Sequence, residues 1–120
     1  MNRRSLVAAL LVLPASPAIL WADPVRLTAD EIDGLLRGRR IKGDWNGTAY
    51  QQKFDESGHT LYIPDGGTSD PGRWRVNANE NSYESWWERS GWSSYAIERD
   101  GEALYWVDSA GKRYPFEVLE

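Results

Sequence analysis

The chain has 120 residues, with 14 Lys and Arg against 18 Asp and Glu, one His and no Cys. That length holds one small domain. The missing cysteines exclude thiol nucleophiles, disulfides and thiolate metal centres. A net charge of −4 argues against a nucleic-acid partner, which normally needs a basic face.

Met1-Asn2-Arg3-Arg4 is a short cationic start, and the run Ser5 to Leu13 after it is apolar. Pro14 and Pro17 break that run well short of the about 20 residues that cross a bilayer. This is the pattern of a secretory signal peptide over residues 1–22, with cleavage expected after Ala22 or, as the second choice, after Ala18. The expected product is a periplasmic or secreted single domain, residues 23–120, with no membrane anchor after cleavage. With no Cys for lipid attachment, the product is expected to be freely soluble, and a monomer is expected.

The next segment reads as a helix over about 28–37. Thr28 can cap it, Glu31 completes a capping box, and Leu27 and Ile32 sit at the staple positions around the cap. Ile32, Leu35 and Leu36 form one apolar stripe, and Gly38 ends the run. So short a helix is not stable alone and must dock on something.

From Arg39 the pattern changes to strand and turn. Asn46-Gly47 and Asp100-Gly101 are hairpin dipeptides, and Ser57-Gly58, Asn77 to Asn81, Ser90-Gly91 and Ser109-Ala110-Gly111 mark further turns. The runs between them alternate, with Tyr50, Gln52 and Phe54 on one face and Ala49, Gln51 and Lys53 on the other. Eight strands are expected near 39–45, 48–55, 59–63, 72–77, 82–88, 92–99, 102–108 and 112–119. Closure would remove two aggregation-prone edges. The expected fold is therefore all-β, an eight-stranded antiparallel meander closed or strongly curled into a lipocalin-like barrel, with the helix over one end. A flatter sheet packed on the helix is the alternative. The stretch 64–72, apolar only at its prolines, reads as one long loop.

The catalytic inventory is thin. His59 is the only imidazole, beside a turn glycine, and no Gly-x-Ser-x-Gly elbow is present. Asp65 and Asp70 in the loop do not have calcium-loop spacing. Glu84 and Glu88 share one strand face with Trp86, but four residues separate them by roughly 13 Å, too far for a glycosidase pair. No enzyme, metal or cofactor is expected.

Seven Trp, six Tyr and two Phe are a heavy load for so short a chain, and most must be core. Adjacent strand residues point to opposite faces, so Trp87, in phase with Tyr83, should point inward and Trp86 outward or to the mouth. Trp45, Trp86 and Trp92 are therefore the candidate exposed indoles. With Glu84, Glu88, Asp65 and Asp70 they form the candidate binding set.

The order Gly47-Thr48-x-Tyr50-x-x-x-Phe54, Ser57-Gly58, Gly72-Arg73-Trp74-Arg75-Val76, Tyr83…Trp86, Tyr95-x-x-x-Arg99-Asp100-Gly101 and Gly111…Val118 resembles small exported bacterial all-β proteins of unknown function, over about residues 43–119. Many of those proteins tie the strands matching 82–88 and 92–99 with a cysteine pair, which this chain lacks. In size, compartment and barrel form the chain is also similar to periplasmic lysozyme inhibitors. Those carry Ser-Gly-x-x-Tyr, whereas Ser90-Gly91-Trp92-Ser93-Ser94-Tyr95 is one residue longer. The expected function is non-catalytic binding of a small molecule or envelope component. The alternative is a protein-interaction module, such as an inhibitor of a periplasmic hydrolase.

Overall fold

A computed structural model describes residues 23–120. The expected signal peptide lies outside the described residues. The first element, β1 (Val25–Arg26), leads through Leu27 into α1 (Ala29–Leu36). Thr28 is the cap: its hydroxyl accepts from the Glu31 amide, and the Glu31 carboxylate accepts from the Thr28 amide at 2.9 Å. Leu27, Ile32 and Leu36 are buried. Burying Ile32 and Leu36 contributes about 1.5–3 kcal/mol each, which is what holds an eight-residue helix in place.

Eight strands follow in an antiparallel meander: β2 (Arg40–Trp45), β3 (Thr48–Phe54), β4 (His59–Pro64), β5 (Asp70–Asn77), β6 (Ser82–Trp87), β7 (Gly91–Asp100), β8 (Ala103–Val107) and β9 (Arg113–Val118). Each pairs with the next, and β9 returns to β2 through Ile41↔Val118 and Gly43↔Phe116, which closes the barrel. The β2–β3 turn takes left-handed backbone at both Asn46 and Gly47, the geometry that lets a two-residue hairpin follow strand twist.

The short connections sort into two ends. The turns after β3, β5 and β7 lie at one end, where the first two meet α1, and those after β2, β4, β6 and β8 form the opposite end. α1 plugs the first end. Ala29 donates its amide to Asn81 Oδ1, Gly38 donates its own to the Phe54 carbonyl, and the Arg37 guanidinium binds the Glu56 carbonyl while lying over Trp74. Phe54, Ile41 and Ile97 complete a sealed core beneath the helix. Among the described residues the other end has no such plug.

Three boundaries differ from the expectation. The long loop 64–72 shrinks to residues 65–69, because β5 starts at Asp70, which pairs with Tyr62. Pro71 is tolerated there since β5 meets β6 only from Arg73 onward, so at position 71 no neighbour needs an N–H on that side. β1 was not expected. It covers the edge of β7 at Glu98 and Arg99, beyond Tyr95, where pairing with β6 ends. The helix proper is two residues shorter than 28–37, with Thr28 as cap and Arg37 as the terminal residue.

Candidate functional site

At the open end the interior is hollow. A cavity of 370 Å³ runs from the mouth to the middle of the barrel. Its wall takes Trp45 from β2, Tyr50 and Gln52 from β3, and Tyr62 from β4. Tyr83, Ser85 and Trp87 come from β6, Tyr95 from β7 and Trp106 from β8. Asp70, Arg89 and Ser90 stand at the rim. These are the inward positions of strand alternation, which is why residues two apart recur on β3 and β6.

The rings brace one another. Trp45 stacks on Tyr114 at 3.9 Å and meets Tyr95 edge-on at 5.5 Å. Trp106 lies between Tyr83 and Phe116, both at 4.6 Å, and donates its indole N–H to the Tyr50 hydroxyl at 3.0 Å. Trp87 donates its own to Ser85 Oγ at 3.1 Å. The Trp87 ring fits because residue 72 lacks a side chain: a Cβ there would lie 2.6 Å from the ring and 2.5 Å from the Trp86 carbonyl oxygen.

The wall is uncharged at neutral pH. Burial pushes the Tyr50 phenol up to about 12, against the opposing hydrogen bond from Trp106. Burial also raises Tyr83, Tyr62 and Tyr95 above the ordinary phenol value. Among the lining residues, charge at neutral pH belongs only to Asp70 and Arg89, at the rim.

The expected binding set is divided by the structure. Trp45 and Asp70 belong to the cavity. Trp86 and Trp92 face out as direct cross-strand partners on the far side of the wall. Arg73 lies over Trp86 at 5.3 Å, and Arg75 over Trp92 at 3.7 Å. Each arginine covers an indole face that water would otherwise meet. Glu84 is on this outer face too, bound by Arg75 at 2.6 Å and Asn77 at 3.1 Å. Those bonds hold its carboxyl below the usual value, the reverse of what a general acid needs. Glu88 and Asp65 are exposed in separate turns and join neither group.

The other aromatic wall residues fall among those expected in the core, and Gln52 shares their face by alternation. Their alternation signalled an interior, but nothing in it showed that one half of that interior is filled and the other hollow. Trp87, expected to point inward, does so.

A second hollow of 540 Å³ lies at the helix end, against Arg39, Arg40, Lys53, His59 and Glu120. Arg39, Lys53, Asp55, His59 and Glu120 in its lining are exposed, so a ligand there would stay in contact with water. Nearby, Ser57 Oγ lies 2.9 Å from Asp55 and 3.0 Å from His59 Nδ1. In this order the serine bridges acid and imidazole instead of the imidazole bridging serine and acid, so the relay of a hydrolytic triad is not formed. Among the described residues no three His, Asp or Glu side chains converge as metal ligands. In comparisons with family models, curated proteins and solved structures, the chain matches none.

Proposed function

We propose that this protein is a non-catalytic exported barrel that binds a small molecule, or an envelope component of similar size, in its open mouth. The observation that carries the reading is the aromatic-lined cavity of 370 Å³. Its volume falls within the range of about 300–1,000 Å³ usual for small-molecule sites. Large apolar walls, a few polar groups and a charged rim are the composition such sites share. The cationic start and short apolar run at the N-terminus support export.

Titration of the protein with small aromatic compounds and envelope fragments, followed by Trp fluorescence, tests this directly. Trp45, Trp87 and Trp106 line the space and report on its contents. Binding should shift the emission, and Trp45→Ala should weaken it about tenfold by removing one aromatic wall. Trp92→Ala, on the outer face, should leave affinity unchanged. No response to any compound overturns the reading.

The outer face supports a second reading, as a protein-interaction module, because Trp92 is 41% exposed beside Trp86. Both indoles of this face are already covered by arginines, Arg73 over Trp86 and Arg75 over Trp92. The cavity reading therefore stands first.

A further inference from the structure

The cavity also contains a polar group that specifies part of its ligand. Gln52 is only 6% exposed and points inward from the middle of β3. Phe54, the next inward residue toward the helix, is sealed, so Gln52 marks the cavity floor. Its amide nitrogen donates to Thr60 Oγ1 at 2.9 Å and to the Tyr83 hydroxyl at 3.4 Å. Thr60 gives its one hydroxyl proton to the Lys53 carbonyl at 2.7 Å. Its oxygen can therefore only accept from Gln52, and this decides which end of the amide is nitrogen.

Gln52 Oε1 is then left over. No donor among the described residues meets it. The side-chain atoms both sealed and without a partner among those residues are Arg40 Nε and Ser82 Oγ, so Gln52 Oε1 is not walled in and faces the cavity. A ligand that fills this pocket displaces water from the carbonyl oxygen, which costs free energy unless the ligand brings a donor of its own. The indoles of Trp87 and Trp106 cannot supply one, since their N–H groups are already bonded within the wall.

We infer that the cavity takes a flat, uncharged aromatic ligand that enters with a hydroxyl or ring N–H leading and donates that hydrogen to Gln52 Oε1. The neutral aromatic wall selects the flat apolar body, and the amide selects the leading donor. This rests on the cavity being the binding site.

Two matched pairs of compounds test it by calorimetry on the full protein. 2-Naphthol carries the donor, and 2-methoxynaphthalene has it capped by a methyl group. Indole and 1-methylindole repeat the comparison with a ring N–H. The donor-bearing member of each pair should bind about tenfold more tightly, the usual effect of one satisfied buried acceptor. Gln52→Met, which keeps the length and removes the acceptor, should abolish the preference and still bind both members, with circular dichroism confirming the fold. Equal affinities in the unaltered protein, or a preference that survives Gln52→Met, would overturn the inference and leave the cavity reading intact. Failure of all four compounds to bind overturns the inference, and the cavity reading falls with it only if the wider panel of compounds and envelope fragments also gives no response. If the variant does not fold, the unaltered protein still decides through the pairs.

Discussion

At position 72 a missing methyl group shapes the binding site. The Trp87 ring occupies the space where a side chain on β5 would project, and the backbone of β6 passes equally close. Gly72→Ala must displace the ring, the strand, or both. Overpacking of this kind costs typically about 1–3 kcal/mol, and the backbone clash puts this site at the upper end. Denaturant unfolding should show a loss of about 3 kcal/mol, with the cavity's ligand response altered as well. An unchanged midpoint would mean the wall is far softer than its contacts imply. The alternation Arg73-Trp74-Arg75 and the pair Trp86-Trp87 reveal which side each residue takes, because strand geometry is local. That Arg73 and Arg75 lie over the outward indoles is not local. It depends on which strands become neighbours.

Among the elements, α1 was the easiest to recognise. Its cap, box, staple and stripe lie within ten consecutive residues, and all are realised as hydrogen bonds or burial. Thr28→Ala should cost about 1 kcal/mol, by loss of the cap bond to the Glu31 amide. Thr28→Ser should restore most of it, as read from thermal melts. A null effect of the alanine change would show that docking of Ile32 and Leu36 alone holds the helix. β1 and the start of β5 were illegible for the opposite reason. Two residues have no periodicity to read, and Asp70-Pro71-Gly72 has the composition of a loop. Both become strands because a neighbouring edge, β7 or β4, offers hydrogen bonds.

For the whole molecule, titration on either side of neutrality should erode stability unequally. Asp33 is held below its ordinary value of 3.8 by hydrogen bonds from Arg37, and Glu84 below 4.5 by Arg75 and Asn77. A folded pKa lower than the unfolded one stabilises above the ordinary value, and that contribution is lost as pH falls through the folded value. These carboxylates are at the surface, so the acid limb should be shallow. The phenols have the other sign. Tyr50 is raised from 10.0 to about 12 and Tyr83 is raised further by complete burial, so their stabilisation is whole below pH 10.0 and falls as pH rises through 10.0 toward 12. Thermal midpoints followed across pH should therefore be level between these limits, decline gently in acid and steeply in alkali. A midpoint that stays level well past pH 10.0 would mean that Tyr50 and Tyr83 are not buried against ionisation.

The amino-acid sequence alone determined the class of fold, the helix with its cap, the inward and outward faces and nearly all of the turns. Each of these is governed by neighbours a few residues apart, through hydrogen bonding at a cap, a period of two, or backbone freedom at a turn. Only the tertiary structure decided closure through β2 and β9, the end that α1 plugs, and the separation of Trp45 from Trp86 and Trp92. It also decided that Gln52 stands in a hollow and not in a filled core. Those outcomes depend on volume: whether side chains from distant strands fill the space they enclose is a sum over the whole ring. No short stretch of sequence carries that sum.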